Sequence, residues 1–83
     1  MSNEQIIDDI RGLVRSIPRD IGMYASLSEG REASGEILLS AYLDESKGPR
    51  IIQAGTAPQN GELTLEEMRE ELLAWITDRR KAA

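Results

Sequence analysis

The spacing of apolar residues changes twice along this chain, and these changes constrain the fold more than any other feature of the sequence. Between residues 6 and 17 the apolar residues recur with the 3.6-residue period of a helix. Between residues 21 and 57 they occur in short stretches that largely alternate with polar residues, and from residue 65 the helical period returns. Two helices and the strands between them must bury their apolar sides together, which predicts an α+β fold.

The first helix carries a signal at each end. Ser2 and Gln5 have the spacing of a capping box, in which each side chain accepts a hydrogen bond from a free backbone N–H at the helix start. Pro18 disfavours helical geometry at the residue before it, so we expect the helix to end at Ile17.

The second helix has the clearest start in the chain. Thr64 and Glu67 again have the spacing of a capping box, and Leu63 and Met68 are placed to pack as a hydrophobic staple. The predicted buried face consists of residues at helical spacing, with Leu73 at its edge: Leu65, Met68, Leu72, Trp75 and Ile76.

Three strands are predicted between the helices, over residues 21–28, 37–43 and 50–57. Short turns rich in Gly, Ser, Asp and Pro join them, which favours an antiparallel meander. The expected order is α-β-β-β-α in a single domain of residues 1–83. Both helices should pack on one face of a three-stranded antiparallel sheet.

The composition excludes several function classes. The 83 residues include no His and no Cys, so disulfides and the common metal ligands are absent, and we expect no metal and no cofactor. Because a chain this short buries only roughly 60% of its unfolded surface, self-association becomes an expected route to stability.

The charge indicates which partners the chain suits. Fifteen acidic and ten basic residues give a net charge of −5, which disfavours nucleic acid and anionic lipid and favours a partner with a basic surface. No segment is apolar enough to span a membrane, and no signal peptide is evident, so we expect a cytoplasmic protein.

Chemistry based on carboxylates or serine finds little support. The adjacent pairs Asp8-Asp9 and Glu66-Glu67 diverge by about 100° on a helix, and Asp44-Glu45 lies in a turn. Ser46-Lys47 is also in a turn, without an orienting group. A very small carboxylate hydrolase stays a third alternative, but we expect no enzymatic activity.

Two surfaces are candidates for protein binding. The sheet face opposite the helices should display Tyr24, Leu38 and Tyr42 among small hydroxyl residues, with Ile51 or Gln53 nearby. It could pair with its own copy in a homodimer, although Tyr–Leu packing across a solvated face explains the pattern equally well.

The second candidate is the acidic opening of the last helix, formed by Glu66, Glu67, Glu70 and Glu71. These side chains could meet a basic patch on a partner. The alternative explanation is the usual preference for acidic residues at a helix N-terminus.

The α-β-β-β-α order resembles that of double-stranded RNA-binding domains, which implies nucleic-acid binding as the alternative function. That family opens its second helix with lysines, whereas this chain places glutamates there. In size and charge the chain also resembles the small acidic proteins with which phages and mobile elements inhibit host enzymes. The leading prediction is therefore a small, acidic, non-enzymatic protein-binding module that acts as a regulator, adaptor or inhibitor.

Overall fold

Two helices cover one face of a four-stranded mixed sheet, which confirms the predicted α+β class. A computed structural model describes residues 2–82. In chain order the elements are α1 (Asn3–Asp20), β1 (Ala25–Arg31), β2 (Ile37–Leu43), β3 (Arg50–Gly55), β4 (Leu63–Thr64) and α2 (Leu65–Ala82).

The sheet contains one strand more than predicted. Strands β1, β2 and β3 form the expected antiparallel meander, but β4 adds to the edge of β3 in parallel, with Leu63 beside Ala54 and Thr64 beside Gly55. The prediction of a three-stranded, wholly antiparallel sheet is therefore wrong in this detail. A strand of two residues has no alternating pattern of its own, and its pairing depends on the loop over residues 56–62, which returns the chain alongside β3.

The core lies between the helices and the inward face of the sheet. Leu39, Ala41 and Leu43 alternate inward along β2 and are at most 2% exposed, as the two-residue period predicts. All five residues of the predicted apolar face of α2 are buried in the same cluster, together with five residues of α1. In the part of the chain that the structure describes, every buried side chain is apolar.

The capping box at the start of α1 is confirmed. The backbone N–H of Gln5 donates to Ser2 Oγ at 3.3 Å, and the backbone N–H of Ser2 donates to Gln5 Oε1 at 3.2 Å. These bonds satisfy two backbone groups that have no partner within the helix.

The predicted end of α1 at Ile17 is wrong. Pro18 lies exposed in the last turn, where it removes one backbone donor without breaking the helix, and α1 continues to Asp20. The helix stops where Gly22 adopts a φ of 80°, and its N–H donates to the carbonyl of Ile17 at 3.2 Å. Glycine reaches this left-handed conformation without steric cost, so Gly22 and not Pro18 is the stop signal.

The helix end also moves the start of the first strand. Ile21 and Gly22 close α1, so β1 begins at Ala25 and not at residue 21, and it extends to Arg31. Ile21 and Met23 still pack against the core as partly buried side chains. The prediction that these two side chains are buried is therefore correct, but the prediction that they belong to a strand is wrong.

A charged contact joins α1 to the edge strand β1. The Arg11 guanidinium donates to both carboxylate oxygens of Glu29, from Nη2 at 2.6 Å and from Nε at 2.8 Å. These hydrogen bonds, reinforced by the positive charge, lower the pKa of Glu29. A charged pair on an edge strand also discourages pairing with another sheet.

Leu72 and Leu73 provide a matched test of the core. Leu72 is fully buried in α2, whereas its neighbour Leu73 is 52% exposed. We expect Leu72→Ala to lower the free energy of unfolding by about 2–5 kcal/mol and Leu73→Ala by about 1 kcal/mol or less. Denaturant unfolding followed by Trp75 fluorescence measures both values, and equal losses would contradict this packing.

Candidate protein-binding surfaces

The outer face of the sheet is free of charge. Strands β1, β2 and β3 place nine residues there, in cross-strand rows, namely Ser26–Tyr42–Ile51, Ser28–Ser40–Gln53 and Gly30–Leu38–Gly55. None of these nine is charged, although charged residues make up 30% of the chain. A solvated sheet face in so charged a chain would be expected to carry several charged residues.

Two aromatic rings meet at one end of this face. Tyr24 and Tyr42 pack edge to face, with ring centroids 5.9 Å apart and an interplanar angle of 67°. Tyr24 remains 61% exposed, and Ile51, the neighbour of Tyr42 on β3, is 59% exposed. The structure thus brings the two predicted tyrosines together in one exposed apolar patch.

Leu38, the third predicted residue of this face, lies at its other end. A β-carbon built on Gly55 would lie 3.0 Å from Leu38 Cδ2 and 2.9 Å from the carbonyl oxygen of Ile37. Leu38 therefore packs across Gly55 and is partly buried. Glycine is required at position 55 because any side chain there would displace both neighbours.

Two shallow hollows on this face have acidic residues at their borders. One, of about 430 Å³, is lined by Tyr24, Tyr42, Ile51 and Asp44. The other, of about 270 Å³, lies beside Leu38 and includes Glu62. An uncharged centre with tyrosines and a charged border is the arrangement found in protein–protein interfaces.

The four glutamates of the second candidate surface do not act as one group. Glu67 completes the α2 capping box: it accepts from the Thr64 N–H at 2.9 Å, and its own N–H donates to Thr64 Oγ1 at 3.1 Å. Arg50 Nη2 donates to Glu71 at 2.8 Å. Within residues 2–82, Glu66 and Glu70 have no hydrogen bond or ion pair. Two of the four predicted side chains are thus committed to the fold.

A groove runs beside these glutamates. It has a volume of about 410 Å³ and joins apolar surface from Trp75 and Leu63 to the carboxylates of Glu67, Glu70 and Glu71. Arg50 neutralises part of this charge through Glu71. Asp78 also lines the groove, so the groove keeps a net negative charge.

A cluster around Trp75 was not foreseen. Trp75 Nε1 donates to Glu45 Oε1 at 2.6 Å, Arg79 Nη2 lies 3.1 Å from Glu45 Oε2, and the Arg79 guanidinium carbon lies 5.1 Å from the centroid of the Trp75 ring. The cluster ties the turn after β2 to α2. These partners are up to 34 positions apart in the sequence, so no local pattern indicates the contact.

The carboxylate pairs considered for chemistry are separated by their partners. Asp8 pairs with Arg11 at 2.8 Å, whereas Asp9 faces Arg69 at 3.4 Å on the other helix. Over residues 2–82 no group of three or more possible metal-ligating side chains converges. In the same range, neither helix is apolar over enough of its length to cross a membrane.

Comparisons with known proteins give no relative. The chain matches no protein-family model, no curated protein and no solved structure.

The Glu67 cap makes a pH-dependent contribution to stability. The Thr64 N–H, and then the Thr64 side chain, hold the pKa of Glu67 below its ordinary value. Because the folded-state pKa is the lower one, this stabilisation is complete above about pH 5 and is lost as the pH falls through the folded-state pKa. We expect Glu67→Gln to reduce the loss of stability between pH 6 and pH 3, since glutamine caps without titrating.

Glu66→Gln is the matched control, because Glu66 has no partner within the described residues. Thermal unfolding at several pH values should give a wild-type slope for this control. Glu29, whose pKa is also lowered, leaves a residual acid sensitivity in every variant. Identical slopes for both glutamine variants would contradict the role of the Glu67 cap.

Proposed function

We propose that this chain is a non-enzymatic protein-binding module that recognises its partner with the outer face of the sheet. The observation that carries the proposal is the absence of charge at the nine outward positions of β1, β2 and β3, in a chain that is 30% charged. Removing charge from one face lowers the desolvation cost of covering it.

The Tyr24–Tyr42 pair provides the anchor of the proposed interface. Tyrosine contributes a large apolar area with few rotatable bonds and keeps a hydroxyl for hydrogen bonding. With Ile51, the pair forms the most exposed apolar patch of the outer face. Burial of such a patch is the usual source of binding energy in a small interface.

The border of the face indicates the chemistry of the partner. Asp44 and Glu62 line the two hollows, and the whole chain carries a net charge of −5. We infer a partner with an apolar contact patch bordered by basic residues, which the acidic field of the module would attract at long range. Such a module would act in the cytoplasm as a regulator, adaptor or inhibitor.

The size of the outer face limits the contact that this face can make alone. Three strands about 4.8 Å apart and seven residues long present on the order of 300 Å². A stable interface of standard size buries about 800 Å² on each partner. The face alone is thus smaller than a standard interface, and it fits a transient contact or a partner that also reaches neighbouring surfaces.

The acidic opening of α2 is the second candidate surface. Glu66 and Glu70, without partners in the described chain, favour it. Nucleic acid, the alternative implied by the element order, is disfavoured because these glutamates would face phosphates.

The test begins with a photo-crosslinking amino acid placed at Gln53 on the outer face, and at Thr77 on the exposed side of α2 as a control. Expressed in the native host, the Gln53 variant should crosslink one protein that the Thr77 variant does not. Crosslinking to nucleic acid from Gln53 would overturn the proposal.

The captured partner then separates the two surfaces. Ile51→Lys places a charge in the exposed patch, and we expect at least a tenfold loss of affinity, equivalent to about 1.4 kcal/mol. The double variant Glu66→Lys, Glu70→Lys should lose less than Ile51→Lys does. The reverse order would assign binding to the acidic helix, and unchanged affinity in both would reject both surfaces. Thermal unfolding confirms that each variant is folded.

A further inference from the structure

We propose that two copies of this chain dimerise through the solvent face of α1, antiparallel and about a two-fold axis at Gly12. This inference goes beyond the proposed function and does not involve the outer sheet face. It rests on an unexplained glycine and on the distribution of charge along one helix.

Gly12 has no structural role within its own chain. It lies exposed in the interior of α1, and apart from the adjoining helix backbone, no atom of the described chain lies within 4 Å of the position that its β-carbon would occupy. Its φ is not positive, so the conformation does not require glycine. Glycine in a helix interior lowers stability relative to alanine, and a close approach by another backbone is a physical reason for it.

Charge is divided on either side of Gly12. Glu4, Asp8 and Asp9 lie exposed on the N-terminal half of α1, and Arg15 and Arg19 lie exposed on the C-terminal half. Arg11 and Asp20 depart from this division, and they are the partners of Asp8, at 2.8 Å, and of Arg19, at 3.3 Å. Such exposed pairs are weak and can exchange partners. The helix dipole accounts for charges in the first and last turns, and Arg11 accounts for Asp8, but neither accounts for Arg15 in the interior. Within residues 2–82, Arg15 has no hydrogen bond or ion pair.

Helix geometry makes this face complementary to itself. Because each residue of a helix turns by 100°, Asp8 and Arg15 are both displaced to the same side of Gly12 when α1 is viewed from solvent. Because each residue rises by 1.5 Å, Asp8 lies about 6 Å before Gly12 along the helix axis and Arg15 about 4.5 Å after it. In a second copy placed antiparallel about a two-fold axis at Gly12, positions along the helix axis are reversed, but each residue stays on the same side of the contact. Asp8 of one copy then faces Arg15 of the other, and Glu4 faces Arg19 in the same way. Symmetry repeats both acid–base contacts, as in an isologous interface.

The groove next to Gly12 adds apolar surface to this contact. It lies between α1 and α2 and has a volume of about 680 Å³. Its apolar surface comes from Leu13 and the 52% exposed Leu73, and its charged lining residues are Asp8, Asp9, Arg69 and Glu70. A second helix crossing at Gly12 would cover this surface. Charge complementarity and a close backbone approach therefore both favour a second copy as the occupant.

The first test exchanges charges. One variant carries Arg15→Glu and Arg19→Glu, which makes the α1 face wholly acidic, and the other carries Glu4→Lys and Asp8→Lys, which makes it mostly basic. In sedimentation velocity from about 1 μM to about 1 mM, we expect the wild-type chain to dimerise and to dissociate with added salt. Each variant alone should remain monomeric, and an equimolar mixture should restore the dimer.

A wild-type chain that stays monomeric throughout this range would overturn the proposal, as would charge variants that dimerise alone like the wild type. A mixture that stays monomeric while the wild type dimerises would also overturn it. Circular dichroism melting shows that each variant is folded. Loss of this dimer would leave the binding of a partner to the outer sheet face unchanged, so the two proposals fail separately.

The second test locates the axis. Because the chain has no cysteine, Ser16→Cys and Gln53→Cys each introduce a single thiol, one on α1 a turn after Gly12 and one on the outer sheet face. A bifunctional maleimide should link Ser16→Cys into covalent dimers, because the two copies of residue 16 would lie about 12 Å apart along the helices, and it should leave Gln53→Cys monomeric. The opposite result would place the two-fold axis on the sheet and overturn the proposal.

Gly12→Leu tests the close approach itself. Leucine is a better helix former than glycine, and this position is exposed, so the melting temperature of the monomer should rise. The same side chain would hold the two helices apart, and we expect dimer affinity to fall at least tenfold. Unchanged affinity would show that Gly12 is not at the contact.

Discussion

Burial of apolar side chains on one face of the sheet is the constraint on which the rest of this structure depends. The described chain has no buried polar side chain and no disulfide, so cohesion comes from aliphatic side chains and Trp75 packed between α1, α2 and the inward residues of the strands. Two helices suffice to cover one face of a sheet this narrow. The opposite sheet face and the outward side of α1 consequently remain at the surface, and both proposals concern them.

The parts of the fold that the sequence predicts are those with local or periodic causes. The capping boxes at Ser2 and Thr64 depend on residues three positions apart, and the inward alternation of β2 depends on a period of two. The end of α1 also has a local cause, which is the positive φ that Gly22 adopts. The sequence contains a second helix-ending signal nearby, Pro18, and the prediction used that signal. Strand β4 could not be predicted, because its pairing with β3 is set by the path of a loop.

In the candidate surfaces too, the features with local causes were predicted and those that depend on distant contacts were not. Period-two alternation correctly predicted that Tyr24 and Tyr42 lie on one face. Tyr42 is opposite Ser26 in the β1–β2 register, and Tyr24, although it precedes β1, contacts the Tyr42 ring. The acidic opening of α2 was predicted as one surface, yet Glu71 is drawn toward Arg50, 21 positions earlier in the sequence. The cluster of Trp75 with Glu45 depends on a contact of similar range. The significance of Gly12 emerges only when its empty surroundings are known.

Thr64 belongs to two elements at once: its backbone pairs with Gly55 at the sheet edge, and its side chain caps α2. Separation of β4 from β3 therefore also frees the first turn of α2, and fraying of that turn releases the strand. We therefore expect β4 and the first turn of α2 to open as one unit, with amide hydrogens that exchange with solvent together.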